Sequence, residues 1–236
     1  MIDSPDREAQ QRFDAVLEAA GWNLRGVIAA SRYDANVAPA WRSDALLPEA
    51  RCAVVLGSGG RALWPAFQRS PEYGQAGEPL DAFCERVAGQ AALALQGRSV
   101  LAHQSRGGAF ADLVALGAEA GLGVPSRLAL LVHPVYGPWL SIRAAILTPW
   151  QLSTTPSLAG FDPCTGCPAP CAEACHGGAV PPGGFQIERC AETRGRESAC
   201  ALRCDARRAC VLGRDHQYSP EAEAHHMGRA GVARRV

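Results

Sequence analysis

The sequence predicts an α+β domain over residues 1–155, a cysteine-rich segment at 156–215 and a short tail at 216–236. Three observations predict this. Segments with helical and strand-like hydrophobic spacing alternate through the first 150 residues. That periodicity fades after Thr148, and eight of the ten cysteines fall in the last third.

The elements follow in order. Residues 7–20 set Phe13, Val16, Leu17 and Ala20 on one face of a helix that Gly21 ends. Gly26–Ala30 and Cys52–Leu56 read as strands, the second closed by a glycine turn at 57–60 that lacks the spacing of a nucleotide-binding loop. Leu80, Phe83, Cys84, Val87, Ala88, Ala91 and Leu95 recur at helical spacing and mark the clearest amphipathic helix. Ser99–Ala102 reads as a strand, and Phe110, Leu113, Val114 and Gly117 mark another helix. Leu128–Val132 and Trp139–Leu147 read as two neighbouring strands joined around His133–Pro138. Cys52 and Cys84, isolated in apolar surroundings, read as small core residues.

Formal net charge is zero, with 23 arginines against 23 acids and no lysine. The balance implies no nucleic-acid partner. The missing lysine excludes a Schiff-base lysine and the phosphate-contacting lysine of a P-loop. The N-terminus carries acids rather than a long apolar run, and no apolar stretch approaches the roughly 20 residues that span a bilayer. The chain therefore reads as cytoplasmic, with no membrane partner. In that reducing compartment clustered cysteines bind metal more often than they form disulfides.

Cys164, Cys167, Cys171 and Cys175 form one run, and Cys190, Cys200, Cys204 and Cys210 follow. Soft thiolates suit [4Fe–4S] clusters. The usual bacterial run has gaps of two, two and three residues and a proline after the last cysteine. Here the gaps are two, three and three, and His176 follows. If two cubes form, the crossover rule of two-cluster modules joins Cys164, Cys167 and Cys171 to Cys210. Cys175 then joins Cys190, Cys200 and Cys204. Structural zinc in one or both sets competes with this reading, and disulfides are a third. With sulfur filling the coordination, His176, His216 and His225 read as surface or packing residues.

Two regions carry a family resemblance. LLVHPVYGPWLSIRAAILTPW (130–150) resembles a segment of the cobalamin-processing proteins of the methylmalonic aciduria type C family, and HQYSPEAEAHHM (216–227) is similar to that family's Tyr-Ser-Glu-Glu segment as far as Glu221. The turn at 120–123 and the cysteine tail look like epoxyqueuosine reductase and the related reductive dehalogenases. The resemblance implies a nitroreductase-like cobalamin-domain core with a C-terminal iron–sulfur segment. It also implies two [4Fe–4S] clusters, a corrinoid (cobalamin), an electron donor and, as in many such folds, a homodimer.

Arg143 matches the arginine that in the type C family helps bind glutathione beside the corrin, and Tyr136, Gly137 and Trp139 offer a planar macrocycle a place to approach and stack. Core packing of Trp139 and ion pairing of Arg143 are the alternatives. Where epoxyqueuosine reductase carries an aspartate acid, VLAHQSRGGAF (100–110) has none, which leaves His103 or Ser105 and no assigned catalytic residue. That gap, with no basic stripe outside the tail, argues against queuosine chemistry. The implied function is an iron–sulfur oxidoreductase that binds a corrinoid and reduces or removes its upper ligand. The alternatives are an epoxyqueuosine-reductase-like or dehalogenase-like enzyme on an organic substrate, a flavin-dependent carrier, and a zinc-stapled binding module.

Overall fold

The structure, a computed structural model, describes residues 5–104 and 110–232. The chain falls into two units that no single cut separates: Met1–Leu122 with Ser141–Ala159, and Gly123–Leu140 with Gly160–Val236. In place of one break near residue 155, the stretch 123–140 crosses into the second unit. The segment read as a separate tail belongs there too, because its helix Pro220–Val232 packs on the helices Ile187–Arg196 and Ser198–Leu202.

The described strands are Leu24–Ala29 (β1), Cys52–Gly59 (β2), Arg98–Leu101 (β3), Val124–Pro125 (β4), Leu131–Val132 (β5) and Leu140–Thr148 (β6). A four-stranded sheet runs β1-β2-β6-β3, and β4 pairs with β5 separately. In the large sheet β1 lies antiparallel to β2 with Val27 opposite Val54, and β3 antiparallel to β6 with Val100 opposite Ala145. β2 is buried at every position, so both of its faces are covered, as its unbroken apolar run requires.

Two helices of the first unit, Arg7–Ala20 and Pro79–Ala94, pack against each other through faces that bury Phe13 and Leu17 on one and Leu80, Phe83 and Val87 on the other. The first begins at Asp6, whose carboxylate accepts the Ala9 N–H at 2.7 Å, and ends at Gly21 in the left-handed region. Helical spacing predicts both correctly. The third expected helix starts later, at Leu113, because the Asp112 carboxylate caps the Val114 and Ala115 N–H groups at 3.0 and 2.9 Å. Phe110 stays outside it and exposed.

Two expectations are corrected. Gly57, Ser58 and Gly59 are not a turn but the end of β2, and the chain turns at Gly60. Gly57 is glycine because a Cβ there would stand 2.7 Å from the Ser141 carbonyl oxygen on β6. The expected pairing of 128–132 with 139–147 does not form, since β5 and β6 lie in different sheets. The chain folds back before β5, where Ser126 N–H reaches the Leu130 carbonyl at 3.1 Å. It folds back again after β5, where His133 and Gly137 exchange two bonds of 2.9 Å. That leaves two residues to pair.

One buried acid of this unit sets a pH dependence. Glu72 accepts from Arg86 Nε at 2.6 Å and from a second guanidinium nitrogen at 3.0 Å, and these bonds draw its carboxyl down to about 2. With the folded value below the ordinary one, the pair's contribution is complete above pH 4.5 and is lost as pH falls from there towards 2. Glu72→Gln should lower the urea midpoint at pH 6, and by pH 2.5 the gap from wild type should have shrunk to about a quarter. Among the described residues no helix is long and apolar enough to cross a membrane.

Candidate metal centres

The cysteine-rich chain has few large side chains to bury, and its own core is small: Leu128, Cys171, Val180 and Ala206, with Leu130 and Phe185 against them. Two of the cysteines, Cys175 and Cys204, pack on this core as well. In the first run the additional residue is absorbed at Ala169, which takes a left-handed φ of 55° between Pro168 and Pro170 and starts the helical turn Pro170–Glu173 bearing Cys171. Ahead of it, the Asp162 carboxylate accepts the Cys164 and Thr165 N–H groups and the Thr165 hydroxyl. Those bonds, the Thr165 hydroxyl first, hold its carboxyl below the usual range.

The eight thiols sort into two sets of four. Cys164, Cys167, Cys171 and Cys210 line one hollow, and Cys175, Cys190, Cys200 and Cys204 line another. Their mutual electrostatics agree. Burial pushes the Cys171 thiol up, and Cys210, Cys164 and Cys167 push it further. Burial likewise raises Cys210, with Cys164 and Cys167 adding to it. In the other set burial raises Cys200, as do Glu197 and Cys175. Cys204 is raised by burial with help from Cys190 and Cys175. Crowded thiols disfavour one another's ionisation, and a bound cation inverts that preference.

Spacing separates the kinds of metal that would fit. Around one zinc ion, thiolates about 2.3 Å from the metal stand only about 3.8 Å apart. Among the described residues the one trio of ligand atoms mutually within 4.8 Å is His176, Glu197 and Cys200, with a single sulfur. Neither four-cysteine set is drawn tight enough for a single ion. Four thiols at each hollow are a soft donor set that would suit a [4Fe–4S] cluster.

The second set is held by groups the sequence did not mark. Glu223, 1% exposed, accepts the Cys204 N–H at 3.0 Å and pairs with Arg208, whose Nε lies 2.8 Å away. Ala179 N–H points at Cys175 Sγ from 3.2 Å, the kind of donor that steadies a thiolate. His176, expected as a surface or packing residue, faces Asp205 at 2.8 Å and Glu197 at 3.4 Å.

The residues nominated for a macrocycle are occupied by the protein. Trp139 is fully buried, with the Arg207 guanidinium 4.5 Å from its ring centroid and Tyr218 edge-on at 5.3 Å. Tyr136 packs between His133 and His216. Gly137 has φ 56°, and a Cβ there would meet the Leu212 carbonyl oxygen at 2.3 Å, so two turns of the second unit lie back to back. These three residues seat the cysteine chain rather than offering an open ring, so they do not fit a corrinoid. Arg143 lies half-buried on β6 of the first unit. His103 is engaged with Glu85 and Asp81 on the helix Pro79–Ala94, and Ser105 lies outside the described residues.

No protein-family model and no curated protein matches the sequence. Solved structures do. Epoxyqueuosine reductase from Streptococcus thermophilus matches 87% of this chain at a TM-score of 0.55 and 12% identity, over 66% of its own length. A reductive dehalogenase, its structure described as suggesting a mechanism for B12-dependent dehalogenation, matches 99% of this chain at 0.57 and 17%, over 37% of its length. An epoxyqueuosine reductase bound to an epoxyqueuosine-modified tRNA-Tyr stem loop matches 92% at 0.56 and 14%, over 67% of its length. This chain shares their fold. It spans about two thirds of the reductases and little more than a third of the dehalogenase.

The third match corrects one expectation. A protein of this fold is held in complex with a tRNA stem loop, which overturns the reading that excluded nucleic acid. That reading leaned on whole-chain neutrality. Phosphate contacts depend on local charge, and a balanced total with arginines scattered among acids says nothing about it.

Proposed function

We propose that this protein is an iron–sulfur reductase of the epoxyqueuosine reductase and dehalogenase kind, passing single electrons through two [4Fe–4S] clusters towards the reduction of an organic substrate. The observation that carries the reading is the sorting of eight thiols into two crossed sets of four. Cys164, Cys167, Cys171 and Cys210 would hold one cluster and Cys175, Cys190, Cys200 and Cys204 the other. Such clusters supply low-potential one-electron chemistry. The chain's own part is to bury the sulfurs, to aim the Ala179 N–H at Cys175, and to pin the Cys204 backbone through Glu223.

An organic substrate is favoured over removal of a corrinoid's upper ligand because the matched proteins are named for epoxyqueuosine and for dehalogenation. A corrinoid remains part of the proposal on the strength of the B12-dependent dehalogenase that shares the fold. Its seat is not the Trp139 ring, whose neighbours are Arg207 and Tyr218.

The test is iron and acid-labile sulfide content after anaerobic purification and reconstitution. We expect about eight irons and about eight sulfides per chain. A colourless protein with about two zincs would overturn the reading in favour of a stapled binding module.

A further inference from the structure

His176 takes the place that proline holds in the usual run, directly after the fourth cysteine, and Asp205 directly follows Cys204. Both residues line the second hollow, where His176 Nε2 lies 2.8 Å from an Asp205 carboxylate oxygen. With that nitrogen donating its proton to Asp205, the lone pair of Nδ1 faces Glu197 Oε2 at 3.4 Å. Two acceptors set face to face repel unless a proton or a cation lies between them. The Cys200 thiol points at the same Glu197 oxygen from 3.9 Å. A nitrogen, an oxygen and a sulfur thus converge, all within 4.8 Å of one another. An imidazole oriented by a carboxylate on its far nitrogen is the arrangement that metal-binding histidines take.

We infer that His176 Nδ1, the Glu197 carboxylate and Cys200 Sγ form a site for one exchangeable zinc ion, whose occupancy excludes a cluster at the second hollow. Zinc accepts such a mixed donor set, and three protein ligands leave it a fourth, open position for water. His176 and Glu197 are exposed, so the ion can enter and leave without opening the fold. Binding takes the proton from the Cys200 thiol and releases it to solvent. With the Cys200 sulfur held by zinc, the cube of Cys175, Cys190, Cys200 and Cys204 cannot close. The set of Cys164, Cys167, Cys171 and Cys210 shares no residue with the site and still fills. The exclusion rests on the clusters proposed above, the zinc site only on its three side chains and Asp205.

The test is anaerobic reconstitution of the full chain with iron and sulfide, with and without an equivalent of zinc. Without zinc we expect about eight irons, and with it about four irons and a single zinc. The EPR signal that zinc removes should be the one absent from Cys175→Ala. H176A should load about eight irons whether or not zinc is present. A zinc titration adds C190A, which loses a cysteine of the second set but keeps the three ligands. C190A should bind one zinc, and the double variant C190A with H176A should bind it about tenfold more weakly or worse. Wild type that keeps about eight irons beside zinc would overturn this inference alone, as would H176A that yields iron to zinc as wild type does. So would H176A that loads only about four irons without zinc, since the histidine would then serve the cluster itself. Equal zinc binding by the two Cys190 variants would put the ion on the remaining cysteines and overturn it too. Wild type that holds no iron would overturn the functional reading, and the zinc titration would then decide this inference by itself.

Discussion

Arg208→Ala should cost the second unit about 3–5 kcal/mol. The reason is the partner it leaves behind. Glu223 is 1% exposed, and its carboxylate is answered by Arg208 and by the Cys204 N–H. Without the guanidinium a buried carboxylate loses its cation, and the loop carrying Cys204 is tied to it. For a chain of this size the loss corresponds to a fall of about 10 °C in thermal midpoint. A double variant, Arg208→Met with Glu223→Met, should recover more than half of it, because apolar side chains of similar volume remove both charges together. The remaining deficit is the unpaired Cys204 N–H. Thermal denaturation of the two variants under nitrogen decides the matter. If the double variant is as unstable as Arg208→Ala, the loss comes from packing of the long side chains rather than from a stranded charge.

That pair also marks where reading the sequence stops. Two helices were legible, because the signals that set them are local: Phe13 and Leu17 share a face that Gly21 ends, and the spacing from Leu80 to Leu95 needs no knowledge of the rest of the fold. Strand pairing was not legible, because β6 chooses β2 and β3 as neighbours over the nearer β5 through contacts distant in sequence. Gly57 looked like a turn residue, and what it answers to is a carbonyl on another strand. In the candidate site the cysteines announced themselves by residue type, and a spacing rule separated them into two sets. Arg207, Arg208 and Glu223 did not, since charges scattered in a polar helix read as a solvated face until a buried partner is seen. Trp139 offered a flat ring for stacking. Its faces are turned to Arg207 and Tyr218, a choice that depends on a segment about seventy to eighty residues further on.

Cys171→Ala and Cys175→Ala should have different iron–sulfur phenotypes although the two residues sit on neighbouring turns of the chain. Cys171 shares its hollow with Cys164, Cys167 and the distant Cys210, whereas Cys175 shares its own with Cys190, Cys200 and Cys204. Each variant should therefore retain about four irons, but not the same four. The EPR signal lost in Cys171→Ala should be the one lost in Cys210→Ala, and Cys175→Ala should match Cys204→Ala. A sequential arrangement, with the first four cysteines on one cluster and the last four on the other, predicts the reverse: Cys171 and Cys175 variants alike, Cys171 and Cys210 variants different. The crossed arrangement also makes the module hard to take apart. Each cluster would tie an early loop to a late one, so metal binding would close long stretches of a chain that has little apolar surface with which to close them. Removing iron from the wild-type protein with a chelator should then loosen the whole 160–232 region at once, read as loss of amide protection from Cys164 through the helix Pro220–Val232.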